Sequence, residues 1–253
     1  MNHSFIKQLC LVSEPIFRVS ASGNWCLQLS TFFSRQGYER SQVADVAKAM
    51  GVAPGTIYLY VEGKEALFDL VIRHTASEDP DWLDDLEVPV PTPSPGSTLE
   101  FLREVLGRKG QWPLLEAALS AQAVPDSLFE LDGVIREQYR LMTRHRAGLV
   151  LLTRSALEFP GLVEVFVLGL RKRLLDSLGL YLQFRIQSGQ IRPLADVPAT
   201  AAVVTQTIAW ANLQRPFDPG LSAFTEQSIE DSTVDLIVSG LLIPTSPAVS
   251  TLA

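Results

Sequence analysis

Apolar residues recur at helical spacing along most of this chain, and strict strand-like alternation is sustained nowhere. The clearest run lies early. Val43, Val46, Ala47 and Met50 keep the i, i+3, i+4, i+7 spacing of one buried helix face, with Ser41 placed to cap the helix. Gly51 ends it, because a residue without Cβ enters the left-handed conformation that stops a helix. Val52 then reads as a buried peg between this helix and the next. Pro54 suits the first turn of that second helix, where a missing N–H costs nothing, although Ala53 before it is a weak cap. Ile57 and Val61 are predicted to point inward, which leaves Thr56, Tyr58, Leu59 and Tyr60 outside or at the rim. A third helix opens on Lys64, with Leu67, Leu70 and Val71 as its inner stripe. Upstream, Trp25, Cys26, Leu29, Phe32 and Phe33 have the spacing of a first helix over about residues 24–35.

The pattern breaks at Glu78–Ser97, where acidic residues mix with five prolines. Proline removes a donor and disfavours helix in the residue before it, so this stretch reads as an extended linker or surface loop, and it is assigned no site. From Thr98 onward helical spacing returns. Leu99, Leu102, Val105 and Leu106 mark one inner stripe, and Gly110–Pro113 separates it from a short helix over 113–122. A long helix or helix pair is predicted over 126–158, another over 161–188 ending at Gly189, and two more over 198–214 and 224–242. The fold class is therefore all-α. The domain reading is a divergent segment 1–23, a head 24–76, a linker 77–97, a helical domain 98–245 and a tail 246–253.

Charge changes the picture of the head. Residues 1–75 hold 7 Lys and Arg against 6 Asp and Glu, while the remainder holds 14 against 22, for a net charge of −7. Such a chain is no general polyanion binder; any nucleic-acid affinity must come from a few placed contacts, each phosphate neutralised adding to the salt dependence. Two tyrosines and a threonine exposed on a short helix serve solubility poorly and suit hydrogen bonding to phosphates and base edges. Lys64 at a helix start adds a site for a phosphate. A plain three-helix core explains the apolar spacing but not the aromatic exposure.

Other chemistry is thin. His3, His74 and His145 are far apart in the chain and form no HExxH frame, and there is no Gly-rich phosphate loop, CxxC or G-x-S-x-G elbow. No enzyme, metal or cofactor is expected. Cys10 and Cys26 lack metal-type spacing and read as free thiols of a cytoplasmic protein. The uncharged stretches 197–214 and 236–253 are broken by Pro, Thr, Ser, Gln or Asn, and neither is a bilayer span. Residues 1–20 lack the charged start of a secretory signal.

Phe32-Phe33, Gly37-Tyr38, Ser41, Val46-Ala47, Gly51-Val52, Gly55-Thr56-Ile57-Tyr58, Tyr60-Val61, Lys64 and Leu67 occur in an order and spacing that resembles the helix-turn-helix DNA-binding domain of the TetR/AcrR family of transcriptional regulators. The resemblance implies a ligand-responsive repressor that binds a palindromic operator in double-stranded DNA as a homodimer. It implies phosphate or groove contacts at Ser41, Thr56, Tyr58, Tyr60 and Lys64, with Leu59 beside them, and approach to base edges at Ala44, Ala53, Pro54 and Gly55. These last four are small or apolar, so they offer at most contact with a thymine methyl or close backbone approach. Family members usually carry arginines before the first helix; here Ser20–Asn24 stand there, so either the arm has diverged or the start lies upstream of the true one. An alternative reading is a helical ligand-binding or interaction protein whose DNA head has decayed.

By the same resemblance the last two helices pair between subunits. Ala201, Ala202, Val204, Thr205, Ile208 and Ala209 would form one face and Val234, Ile237, Val238, Leu241 and Leu242 the other, although an intrachain core explains either equally well. An effector pocket is implied among the middle helices. Phe101, Val105, Trp112, Leu115, Tyr139, Met142, Leu149 and Phe166 are candidate liners, and Arg140, Arg144, His145 and Arg146 candidate anchors. Such stripes are more often plain core, and no residue is assigned to the ligand.

Overall fold

The computed structural model describes residues 24–77, 79, 82, 86–120 and 127–243, and these are helical with two isolated β-bridges. Helix α1 spans Asn24–Gln36, α2 Val43–Ala49, α3 Pro54–Ile57 and α4 Lys64–Ala76. Then follow α5 Ser97–Lys109, α6 Pro113–Ser120, α7 Ser127–Arg144 and α8 Arg146–Ser155. A π-helical stretch, Val163–Arg171, runs into α9, Lys172–Gln187. The chain continues through α10 Val197–Leu213, a 3-10 turn Arg215–Phe217, α11 Pro219–Ser222 and α12 Glu226–Leu241. The expected segment 1–23 and the tail 246–253 lie outside the described residues, as do Cys10 and the side chains of Trp25 and Cys26.

The chain forms two compact units, and they do not divide at the proline-rich linker. One takes Met1–Arg108 with Ala147–Val167, the other Lys109–Arg146 with Leu168–Ala253. Helices α5 and α8, read from sequence as parts of the downstream domain, thus count with the head. The reason is packing: Thr98 of α5 donates its hydroxyl to Asp69 of α4 at 2.7 Å, and the Arg73 guanidinium lies over the Phe101 ring at 4.4 Å.

In the head unit α4 carries the core. Ala66 through Ile72 are all buried, wider than the stripe of Leu67, Leu70 and Val71 that the spacing picks out. Leu29 and Phe33 of α1, Val43, Val46 and Ala47 of α2, and Ile57 and Val61 close over it.

The second unit is a layer of helices α6, α7, α9, α10 and α12 around one core containing Leu115, Ile135, Tyr139, Leu178, Ile208 and Val238. Asp196 caps α10 by accepting from Ala199 N–H at 2.8 Å, and Thr225 caps α12 by accepting from Ser228 N–H at 3.1 Å. A buried ion pair ties three helices together. Arg185 of α9, 3% exposed, donates through Nε and Nη2 to the two carboxylate oxygens of Glu130 at 2.7 and 2.9 Å. Its Nη2 also reaches the Ala118 carbonyl of α6 at 2.8 Å, and Tyr181 donates to Glu130 at 3.0 Å. Burial, then the Glu130 charge, pushes the Tyr181 hydroxyl far above its ordinary value.

The two faces expected to pair between subunits are mostly intrachain core. Ala201, Val204, Thr205 and Ile208 are buried, as are Val234, Ile237, Val238 and Leu241. Helix α10 is apolar nearly all round, so periodicity does not tell its inner side from its outer one. What it turns outward is Val203, 64% exposed, and Trp210, 56% exposed, beside Gln206 and Thr207.

Arg185→Ala leaves the half-buried Glu130 carboxylate without its cationic partner. It should cost about 3–5 kcal/mol, read as a fall in the denaturant midpoint of unfolding.

Candidate nucleic-acid interface

The head presents its surface through two turns, each made by a glycine. At the end of α1, Gly37 has φ +80, the left-handed region, and its N–H donates to the Phe33 carbonyl at 2.8 Å. A Cβ there would sit 2.2 Å from the Glu158 carboxylate, which also accepts from the Glu39 N–H at 3.0 Å. Gly51 closes α2 at φ +70, and Val52 N–H donates back to the Ala47 carbonyl at 2.9 Å.

Tyr38 fixes the first turn. Its ring lies 4.7 Å from that of Phe68 and 4.9 Å from that of Phe159, centroid to centroid, and Phe33 stacks edge-on against Phe68 at 5.3 Å. The hydroxyl donates to Glu65 at 3.3 Å; burial and then the Glu65 charge push it up to about 12, so it stays a donor. The Lys64 ammonium sits 4.2 Å from the Tyr38 ring centroid and donates to the Glu39 carbonyl at 3.0 Å. Lys64 therefore does open its helix as the spacing predicts, but its ammonium braces the α1–α2 turn rather than standing free beside the α4 amides.

Ser41 is neither a cap nor a surface residue. Its hydroxyl donates to the Gly37 carbonyl at 2.6 Å, its side chain is buried, and Gln42 takes the N-cap position of α2 without a side-chain bond. Helix α2 starts one residue later than the spacing suggests, which puts Ser41 before the cap position, where its hydroxyl donates back across the glycine turn. Val52 is half-buried rather than fully inside.

The other expected contacts are at the surface. Ala44, Ala53, Pro54, Gly55, Tyr58 and Leu59 are exposed, and Thr56 and Tyr60 are half-buried. They cluster because α2 packs on α3, with Ile57 and Val61 as the buried pegs beneath. Tyr58, the C-cap of α3, is 51% and Leu59 after it 67% exposed, at the end of a helix that Ala53 leaves without a side-chain cap. A Cβ at Gly55 would meet nothing within 4 Å, so the fold does not need the glycine there and a partner's backbone has room to approach. Arg40 and Lys48 are exposed too, and Lys48 lies one turn after Ala44 on α2, on the same face. Helical spacing alone could have found Lys48; Glu158 and Phe159 have no local signal, because only the tertiary fold brings them to the turn.

The candidate effector liners divide between the units: Phe101, Val105, Leu149 and Phe166 count with the head, Trp112, Leu115, Tyr139 and Met142 with the second unit. Of the polar candidates, Arg140 pairs with Glu230 at 2.8 Å and Arg146 with Glu226 at 2.6 Å, each inside the second unit.

Residues 31–71 match the family model described as bacterial regulatory proteins, tetR family. The HTH-type transcriptional regulator AcrR of Shigella flexneri is 34% identical over 74 residues, 29% of this chain and 33% of the relative, so the match spans about a third of that protein's length. The ketosteroid transcriptional regulator KstR2 of Mycobacterium tuberculosis is similar in fold, with a TM-score of 0.52 at 18% identity over 89% of this chain and 96% of that one. A member of the TetR transcriptional regulator family from Streptomyces coelicolor A3 gives 0.50 at 17% over 87% and 91%. No helix among the described residues is long and apolar enough to cross a membrane.

Gly37→Ala should destabilise the protein by at least about 1–2 kcal/mol, the cost of a left-handed non-glycine residue, with a further loss from displacing Glu158. Thermal unfolding with and without Glu158→Ala separates the two contributions, since the double variant keeps only the backbone part.

Proposed function

We propose that the chain is a TetR-family, ligand-responsive transcriptional repressor that binds a palindromic operator as a homodimer, a reading supported by the match of residues 31–71 to that family's model. The observation that carries this reading is the surface over residues 53–60: two exposed large side chains, Tyr58 and Leu59, and an open Gly55, held up by the buried pegs Ile57 and Val61. Thr56, Tyr58 and Tyr60 serve the backbone and groove, with Lys48 and Lys64 as nearby cations. Ala44, Ala53, Pro54 and Gly55 allow close approach to base edges and read little by hydrogen bonds. Ser41 acts through the turn rather than by touching DNA.

The subunit contact we propose is the outward face of α10, Val203 and Trp210, with Leu236 of α12, which is 69% exposed. These replace the inward faces as the pairing surface. Two heads held one turn of DNA apart, roughly 34–36 Å, would each need only a modest grip. A small apolar effector would release the operator if it binds better to a subunit arrangement that misplaces the heads.

Two measurements test this. In anisotropy titrations against an operator fragment, Tyr58→Ala and Lys64→Ala weaken binding, and Lys48→Ala, which removes one phosphate contact from each subunit of the dimer, lowers the slope of log affinity against log salt by about 1.8. Binding indistinguishable from wild type in all three removes the assignment. Absence of sequence preference at any salt in the wild-type protein favours a decayed head instead. In sedimentation, Trp210→Glu should convert the dimer to monomer; an unchanged species moves the interface elsewhere.

A further inference from the structure

The proline-rich stretch after α4, given no site by its composition, reaches the end of α3. That helix is four residues long, and no side chain caps it. One helical turn fixes many dihedrals for a single hydrogen bond, so it does not hold itself. Its exit is held from outside. Val90 N–H donates to the Tyr60 carbonyl at 2.7 Å, and Glu62 N–H donates to the Val90 carbonyl at 3.0 Å, which pairs Val61 and Val90 as a parallel bridge. Two residues on, Thr92 N–H donates to the Glu62 carboxylate at 2.7 Å.

The spacing of prolines makes this pairing selective. In Pro89-Val90-Pro91-Thr92-Pro93 the prolines carry no N–H, so Val90 and Thr92 hold the segment's only backbone donors. Both are spent on Tyr60 and Glu62. The prolines also keep the segment extended before it docks, so little conformational freedom is lost in docking.

We propose that Val90–Thr92 is a positioning strap for DNA reading, which fixes the angle at which Tyr58, Leu59 and Tyr60 leave the head. This role rests on the DNA-binding reading above. The strap touches the residues that follow the reading helix, not the DNA, so its loss should change how well the right sequence is told from a wrong one and leave the general attraction to phosphates alone.

Val90→Pro removes the donor to Tyr60, and Val90→Ala keeps it. With an operator fragment and a scrambled fragment of equal length, Val90→Pro should lower the ratio of the two affinities about tenfold, the size of one backbone hydrogen bond. Scrambled-fragment affinity should stay at the wild-type value, the melting temperature should fall by no more than the roughly 2–4 °C that one hydrogen bond accounts for, and Val90→Ala should behave as wild type. Amide hydrogen exchange should quicken at residues 58–62 alone. Thr92→Pro, which removes the other donor, should move the ratio the same way by less and serves if Val90→Pro fails to fold. An unchanged ratio overturns the strap's role, and so does a fall of both affinities in parallel, which would mark a stabilising contact only. A wild-type protein that prefers no fragment overturns the DNA reading and this role with it, whereas a wild-type preference that both proline variants keep overturns the strap alone.

Discussion

The exposed surface over residues 53–60 depends on how the turn before α2 is pinned. Tyr38 lies between Phe68 and Phe159, Lys64 lies across its ring, and Ser41 bonds back to Gly37. Aromatic contacts of this kind add about 0.5–1.5 kcal/mol each beyond the area they bury. Their greater consequence is directional. With the turn fixed, α2 has one permitted approach to α4, and α3, packed on α2, inherits that placement. Exposed Tyr58 and Leu59 are tolerable in the turn after so short a helix because Ile57 and Val61 on either side of them are buried.

The charge distribution follows the same division of labour. The head is nearly neutral, and two of its cations are committed internally: Arg73 to Asp69 and Lys64 to the Glu39 carbonyl. The second unit spends its charges on its own helices. Arg136 meets Asp132, Glu230 and Asp231, and Arg146 meets Glu226. The pairs of Arg136 with Glu230 and Asp231 join α7 to α12 and that of Arg146 joins α8 to α12, and partly exposed pairs of this sort contribute little to net stability. A head this close to neutral offers no broad attraction to polyanions.

Much of this was legible in the residues. The spacing of Val43, Val46 and Ala47, the glycine after them and the proline at the start of α3 locate the reading unit, because each is a local requirement of backbone geometry. The errors fall where tertiary structure decides. Ser41 has the chemistry of a cap, but Gln42 takes that position and the Ser41 hydroxyl donates back to Gly37. Lys64 begins its helix, yet its ammonium finds the face of Tyr38. The outward side of α10 is invisible to periodicity when both sides are apolar. The proline-rich segment reads as an inert linker until Val90 is seen paired with Tyr60 and Glu62, and Glu158 is chosen for the Gly37 turn by the fold alone.

The most direct test of the reading surface is to recover and sequence the DNA fragments that purified wild-type protein retains from a random pool at moderate salt. The account predicts enrichment of one inverted repeat whose half-sites lie one helical turn apart, roughly 34–36 Å, and loss of that enrichment with Tyr58→Ala. Retained fragments that match the input pool at every salt concentration would contradict it.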